Sequence, residues 1–208
     1  MLTIWGRLNS HNVKKVVWAA GEAGIAWQRR DMGGSFGYTP AYLAHNPNHL
    51  VPMIEEADGF TLWESNAILR YLASAHAPHL WAGDARQKAR ADKWLDWQFA
   101  FADAQRDGFL QLVRVAEAQR DAAKIAATAA ATGRLMAMAE AELARQPFLS
   151  GAEFGIADIA MGTYAHTWFT LGFDRAEGGE KAEVPHVRAW HAALIARPAF
   201  AAIAIPLS

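Results

Sequence analysis

The chain has no cysteine among its 208 residues. This absence excludes disulfide bonds, cysteine-ligated metal centres, a cysteine nucleophile and redox enzymes of the Cys-x-x-Cys type. An excess of one charge is lacking too, because 20 Lys and Arg residues stand against 21 Asp and Glu residues, for a net charge of −1. Such a balance gives no electrostatic footprint for nucleic acid or an anionic membrane, so neither partner is expected.

Long apolar runs are scarce as well. The N-terminus lacks the charged and apolar segments of a signal peptide. Residues 156–173 form the longest weakly polar stretch, but Asp158 and His166 interrupt it, so we expect a buried helix rather than a membrane span. With no cysteine, the sequence fits a reducing compartment, and a cytoplasmic location is expected.

The first 75 residues alternate between short apolar runs and helical periodicity. Residues 2–5 and 26–29 predict two strands on either side of a helix, with Asn12 as its N-cap and Lys14 and Lys15 turned away from its apolar face. The loop GGSFGYTP at 33–40 lacks the Gly-Lys-Ser/Thr ending of a phosphate loop. Residues 53–56 and 60–63 predict a hairpin, and Ser65 then caps a helix. The order is β-α-β, a loop, then β-β-α.

Nothing after residue 83 has the pattern of a strand. Residues 86–116 predict one or two helices, residues 119–145 a long alanine-rich helix, and two more begin near Gly155 and Val184, with a charged loop at 174–183 between them. Residues 76–83, broken by Pro78, read as a linker. We therefore predict a small α/β domain at 1–78 followed by an all-helical domain at 86–208.

Val51-Pro52 is the first pair of residues that suggests chemistry. It directly precedes the third predicted strand, where a proline cannot donate to the ladder. If the peptide bond is cis, the backbone groups of Val51 are exposed and could pair with an extended peptide ligand. An ordinary trans proline opening an edge strand is the alternative.

Glu64-Ser65 is the second pair. Ser65 at a helix N-terminus, with the nearby backbone N–H groups, offers a carboxylate site, and Glu64 could hold an ammonium group. An amino-acid terminus carries both groups. The alternative is a plain helix cap.

Four motifs in order resemble the cytosolic glutathione transferase family: LVP at 50–52, WESNAILRYL at 63–72, ADIA at 157–160 and RPAF at 197–200. The resemblance spans essentially the whole chain. It implies a thioredoxin-like N-terminal domain in which Val51 pairs with the cysteinyl backbone before a cis Pro52, while Glu64 and Ser65 hold the γ-glutamyl end. It also implies that the helical domain covers an apolar electrophile site, and that the protein is a homodimer that uses glutathione as co-substrate.

The thiol-activating residue depends on the class within that family. Trp5 occupies the first strand, with no tyrosine near it, and cysteine is absent, so the chain is more similar to the bacterial, serine-type, theta-like classes. Ser10 matches the serine of those classes, and Asn12 follows two residues later. Either could stabilise the thiolate, or both could simply cap the helix. Arg7 could add positive charge or point to solvent, and it is also a candidate for the electrophile pocket.

The remaining residues leave alternatives open. His49 could reach the glycyl carboxylate of glutathione or lie in solvent. Trp97 and Phe101 share a helix face that is core or electrophile pocket, and Phe36, Phe109 and Trp168 are further pocket candidates. Asp158 should cap backbone N–H groups, a folding role. No histidine pattern predicts a metal site. Besides thiol conjugation, a non-catalytic binding protein or a glutathione-dependent isomerase, peroxidase or dehalogenase stays possible.

Overall fold

The structure, a computed structural model, describes residues 1–175 and 183–207. Most of the charged loop predicted at 174–183 therefore lies outside the described residues. Contacts divide the chain into two compact units: Met1–Ala82 with Arg197–Pro206, and Gly83–Ala196. The segment Arg197–Pro206, which the sequence analysis assigned to the helical domain, thus packs with the first unit.

The first unit is a four-stranded mixed sheet with three helices along its chain. The elements are β1 (Leu2–Trp5), α1 (His11–Glu22), β2 (Trp27–Arg30), α2 (Pro40–His45), β3 (Met53–Glu55), β4 (Thr61–Trp63) and α3 (Ser65–Ala75). The strand order is β2-β1-β3-β4, with β1 and β2 parallel and the other neighbours antiparallel. This is the β-α-β then β-β-α module that the sequence predicts, with α2 as a short addition in the predicted loop region.

Helix α1 corrects two predictions. Ser10, not Asn12, occupies its N-cap position, and Asn12 is the second residue of the helix. Lys14 and Lys15 are buried, with 4% and 0% of their surface exposed, where helical periodicity placed them on outer faces. The aliphatic part of a lysine side chain packs like an apolar one, so hydropathy alone misassigns such positions.

The C-terminal segment packs against α1. Arg197 donates two hydrogen bonds of 2.7 Å to the Glu22 carboxylate, which also accepts one of 2.9 Å from the Trp18 indole. The Trp18 ring meets Phe200 edge to face at 5.0 Å. A polar contact and an aromatic contact therefore join the end of α1 to residues about 175 positions away.

The second unit consists of helices in its described part. They are α4 (Ala85–Arg114), α5 (Ala122–Leu143), α6 (Ile156–Thr170) and α7 (Pro185–Ile195). Residues 86–116, for which one or two helices were predicted, form mainly one helix of 30 residues, whose N-cap Asp84 accepts from the backbone N–H groups of Arg86 and Gln87 at 2.9 Å. In the described part of the chain no helix is both long and apolar enough to cross a bilayer.

Asp158 is the central polar group of the second unit. It is fully buried, and its carboxylate accepts four hydrogen bonds: from the backbone N–H groups of Leu149, Ser150 and Gly155 and from the Trp190 indole, at 2.7, 3.3, 3.0 and 2.9 Å. Burial raises its pKa, an effect that these donors oppose. The carboxylate thus connects the start of α6, the loop before it, and α7.

Candidate functional site

The candidate residues of the first unit lie at one edge of the sheet. Trp5, Met53 and Trp63 pair in one row across β1, β3 and β4. The residues just beyond this row are Gly6 after β1, Pro52 before β3 and Glu64 after β4. Antiparallel pairing thus brings three segments that are far apart in sequence to the same edge.

The Val51–Pro52 peptide bond at this edge is cis. A Cβ on Gly6 would lie 2.4 Å from Val13 Cγ2 and 3.1 Å from Val51 Cβ, so only glycine allows the end of β1 to approach both side chains. Val51 therefore lies directly beside the end of β1 and the first turns of α1. Pro52 is buried, whereas Val51 is partly exposed.

Tyr42 and Asn46 hold the backbone just before Val51. The Tyr42 hydroxyl and the Asn46 amide donate to the Leu50 carbonyl at 2.6 and 2.9 Å. Burial raises the pKa of Tyr42 to about 12, so its hydroxyl keeps its proton and remains a donor. Sequence reasoning missed both residues; the Asn46-Pro47 pair, a common turn signal, was the one hint available.

The turn from β4 into α3 also differs from its prediction. Glu64, with φ +73°, occupies the N-cap position, and Ser65 is the first residue of the helix rather than its cap. Ser65 is 3% exposed while Glu64 is exposed. A positive φ is uncommon for a residue with a side chain, so the surrounding structure holds this turn in place.

Lys15 lies behind this turn. Its ammonium donates to the Asn66 side-chain oxygen at 2.9 Å. Burial lowers the pKa of Lys15 to about 7, although the charge of Glu64 acts to raise it. The sequence analysis did not identify Lys15 or Asn66 as part of the site.

The segment between β1 and α1 contains the thiol-activating candidates. The Arg7 N–H donates to the Met32 carbonyl at 3.0 Å, and the Ser10 N–H donates to the Arg7 carbonyl at 3.2 Å. Among the described residues, the Ser10 hydroxyl makes no capping hydrogen bond to α1. The first turn of α1 contains no acidic residue, so no carboxylate there offsets the positive end of the helix.

The loop after β2 lies next to this segment. A Cβ on Gly34 would lie 2.8 Å from Arg7 Nε, and one on Gly33 would lie 3.0 Å from the Tyr38 hydroxyl and 3.1 Å from Val51 Cγ1. Tyr38, which the sequence analysis passed over, therefore presents its hydroxyl beside Val51. Its ring also lies 5.8 Å from that of the exposed His49.

The aromatic pocket candidates separate into two groups. Phe36 in the first unit is 59% exposed, and Phe109 on α4 is partly exposed. Phe101 and Trp168 are fully buried in the core of the second unit, where the Trp168 indole donates to Thr132 at 2.9 Å. Full burial fits the packing interpretation of that helix face.

Trp97, another pocket candidate, lies elsewhere. With Trp94 it lines an open cavity of about 400 Å³ between α4 and α5. Met138 and Ala141 complete its apolar part, and Lys93, Glu142 and Arg145 complete its polar part. In the described ranges 1–175 and 183–207, no cluster of three or more His, Cys, Asp or Glu residues could hold a metal ion.

The chain matches two family models. "Glutathione S-transferase, N-terminal domain" matches residues 9–75, and "Glutathione S-transferase, C-terminal domain" matches residues 91–198. Together they cover both units.

Individual relatives are similar along the whole chain. Glutathione S-transferase GstB of Escherichia coli K12 is 36% identical, and the alignment covers 100% of both proteins. A theta class glutathione S-transferase from Xanthomonas axonopodis pv. citri, solved with glutathione bound, is 45% identical with a TM-score of 0.89, over 100% of this chain and 99% of that one. The E. coli disulfide-bond oxidoreductase YfcG is 30% identical over 81% of this chain and 78% of its own length.

Proposed function

The chain belongs to the glutathione S-transferase family and is a glutathione transferase with glutathione as co-substrate, and we propose that it activates the glutathione thiol for attack on small apolar electrophiles. The observation that carries this proposal is the position of the Ser10 hydroxyl at the start of α1. Among the described residues, this hydroxyl makes no capping hydrogen bond to the helix.

Glutathione would lie along the sheet edge. Val51 would pair with the cysteinyl backbone, and Glu64 and the N-terminus of α3 at Ser65 would hold the γ-glutamyl ammonium and carboxylate. His49, beside Tyr38, would receive the glycyl end. This placement directs the cysteinyl sulfur toward the segment 7–12.

The energy needed for thiol activation is modest. A thiol of pKa about 8.5 is only about 3% ionised at pH 7, and lowering its pKa by about two units requires about 2.7 kcal/mol. A hydrogen bond to a charged acceptor contributes about 1.5–3 kcal/mol. The Ser10 hydroxyl, the positive end of α1 and the Arg7 guanidinium together are sufficient.

In the proposed reaction, the bond that forms is matched by the bond that breaks. Bound glutathione loses its thiol proton to solvent, the thiolate sulfur attacks the electrophilic carbon, and the new S–C bond forms as the leaving group departs with its electron pair. Within the second unit, the partly exposed Phe109 would contact the apolar electrophile. Phe101 and Trp168 are fully buried in the core of that unit and are not proposed as ligand contacts.

Calorimetry of glutathione binding at pH 6 and pH 8, in buffers of different ionisation enthalpy, tests thiol ionisation. We expect binding near neutral pH to release more protons than a thiol that keeps its free pKa of about 8.5 could release. Binding without proton release would contradict activation, and no binding at millimolar glutathione would overturn the proposed function.

The Ser10→Ala variant tests whether Ser10 or Asn12 activates the thiol. We expect kcat/KM at pH 7 with an activated aryl chloride to fall about 10- to 150-fold, which corresponds to 1.5–3 kcal/mol, and the pH–rate profile to shift toward the pKa of the free thiol. Ser74→Ala, on an exposed position of α3, is the matched control. If Asn12→Ala causes the loss instead, activation belongs to Asn12.

The similarity to the disulfide-bond oxidoreductase YfcG favours one second candidate. The same bound thiolate could attack a disulfide, forming a mixed disulfide with glutathione and releasing the other thiol. An assay with a small disulfide substrate beside the aryl chloride measures which reaction has the larger kcat/KM.

The family resemblance further implies a cytoplasmic homodimer. Sedimentation at micromolar concentration should give about twice the 22.8 kDa chain mass. A monomer mass would contradict the dimer without affecting thiol activation.

A further inference from the structure

Lys15 is the least expected buried residue of the first unit. It is fully buried, yet its ammonium group must give up solvation by water, which is unfavourable unless the new partners compensate. A methionine would fill nearly the same volume at no such cost. Packing therefore does not explain why a lysine occupies this position.

The side chain of Lys15 contacts the start of α3. Its Nζ lies 2.9 Å from the Asn66 oxygen, and Asn66 is itself 3% exposed. The interaction joins α1 to a residue 51 positions later, at the second position of α3. Lys15 thus contacts the helix end that would bind a ligand carboxylate, from the side facing the core.

Glu64 is the charged group from α3 that acts on Lys15, and its negative charge raises the lysine pKa. On α1, the neighbouring Lys14 is also buried, and its own pKa is lowered by that burial. Glu64 holds its positive φ of 73° immediately before the two buried residues Ser65 and Asn66. The exposed Glu64 and the buried Lys15 ammonium therefore both act at this turn.

We propose that Lys15 is a positioning residue for the γ-glutamyl end of glutathione, holding the Glu64–Asn66 turn through Asn66 and adding positive charge behind the N-terminus of α3. This inference rests on the proposed function and names a residue beyond the predicted ligand contacts. The added charge attracts the ligand's α-carboxylate to the helix end. It also offsets the Glu64 carboxylate, which stays available for the ligand's α-ammonium.

The test compares ligands that do and do not carry the γ-glutamyl group. Calorimetry at pH 6, where Lys15 with its pKa of about 7 is mostly charged, measures Kd for glutathione and for S-methylglutathione, whose sulfur cannot ionise. Turnover with cysteinylglycine, which lacks the γ-glutamyl group, reports on the rest of the site. The variants are Lys15→Met, Lys15→Arg and, as the matched control from the adjacent buried position, Lys14→Met.

For Lys15→Met we expect Kd to rise at least tenfold for both γ-glutamyl ligands, while kcat/KM with cysteinylglycine stays within twofold. Lys15→Arg keeps a positive charge and N–H donors, so partial recovery of the affinity is expected. Lys14→Met should bind within twofold of wild type. The urea midpoint of Lys15→Met should stay close to that of wild type, because the removal of a desolvated charge is opposed by the loss of the donor to the buried Asn66 oxygen.

Two results would overturn the proposal. They are unchanged Kd values in Lys15→Met and an equal loss with cysteinylglycine. If Lys15→Met does not fold, Asn66→Ala breaks the same contact from α3 and must show the same ligand-selective loss. A wild-type protein that does not bind glutathione removes the proposed function and this role together, whereas unchanged binding by Lys15→Met removes this role alone.

Discussion

The two units each bury a charged group, and the two groups are held differently. Asp158 in the second unit is surrounded by four N–H donors, three of them backbone groups at the start of α6 and in the loop before it. Lys15 in the first unit reaches across to a side chain at the start of another helix, beside an exposed carboxylate. Burial of charge alone therefore does not distinguish Asp158 from Lys15, but their hydrogen-bond partners do.

The start of α4 in the second unit differs from the starts of α1 and α3 in the first unit. In the second unit the Asp84 carboxylate accepts two backbone hydrogen bonds at the start of α4. In the first unit, within the described residues, neither Ser10 nor Glu64 caps its helix with its side chain. The starts of α1 and α3 thus leave polar groups available to a ligand, as expected of a binding site. Helix α2 of the same unit is capped by Thr39, whose hydroxyl oxygen accepts from the Tyr42 N–H at 3.2 Å.

Among the variants that test this contrast, Asp158→Ala should have the largest effect on stability. Four buried N–H donors would lose their acceptor, so we expect the free energy of unfolding to fall by about 4 kcal/mol. Urea unfolding followed by circular dichroism measures it. Glu153→Ala, an exposed acidic residue in the preceding loop, should change stability by less than about 0.5 kcal/mol. A loss below about 1 kcal/mol for Asp158→Ala would break the comparison.

Arg197→Met tests the ion pair with Glu22 that ties the C-terminal segment to α1. Because Glu22 has only 9% of its side chain exposed, removal of its bidentate partner should cost about 2 kcal/mol. Arg145→Met is the matched control, since that arginine is 72% exposed in its pair with Glu142 and should contribute less than about 0.5 kcal/mol. Equal losses would show that burial does not matter here.

The histidine pair of α6 and α7 predicts a pH dependence of stability. The pKa of His191 is lowered to about 4, first by burial and then by the charge of His166, whose ring lies 5.4 Å away. As pH falls from 7 to 5, the unfolded chain takes up a proton that the folded protein excludes, so the free energy of unfolding should decrease, by about 1 kcal/mol after allowance for partial exposure.

Urea midpoints at pH 7 and pH 5 measure this effect. His191→Phe keeps an aromatic ring but removes the titration, so its midpoint should depend less on pH. His45→Phe, at an exposed position of α2, should keep the wild-type dependence. A His191→Phe protein with the full pH dependence would contradict the assignment.

The smallest effect on stability is expected for Ser10→Ala. Removing a capping serine or aspartate usually costs about 1 kcal/mol because a backbone donor loses its acceptor. Since the Ser10 hydroxyl does not cap α1 in the part of the chain that the structure describes, we expect a loss below about 0.5 kcal/mol. Asp84→Ala should show the full cost, and an equal loss in both variants would mean that Ser10 has a capping role after all.

The order of elements followed from the sequence because periodicity and turn residues are local signals. The strands at β1 and β3, the hairpin turn and the start of α6 near Gly155 all lie at or close to their predicted positions. Lys15 was misassigned because hydropathy treats every lysine as solvent-facing. The cap positions of α1 and α3 were misassigned because a serine or asparagine can occupy several adjacent positions at a helix start.

The rest of the candidate site depends on contacts between distant segments. Tyr42 and Asn46 hydrogen-bond to the backbone just before Val51, and no spacing rule connects them to it. The packing of Arg197–Pro206 with the first unit was not predictable for the same reason. The RPAF motif at the start of the segment does not indicate which surface the segment covers.

That packing has a consequence for how the protein is made. A ribosome that has synthesised the first 82 residues has not yet supplied the segment that meets Trp18 and Glu22 on α1. Part of α1 would then lack its packing partner until the whole helical unit has been synthesised. Expression of residues 1–82 alone would therefore yield an incomplete domain, whereas a circular permutant that begins near Arg197 would deliver both parts of the first unit in succession.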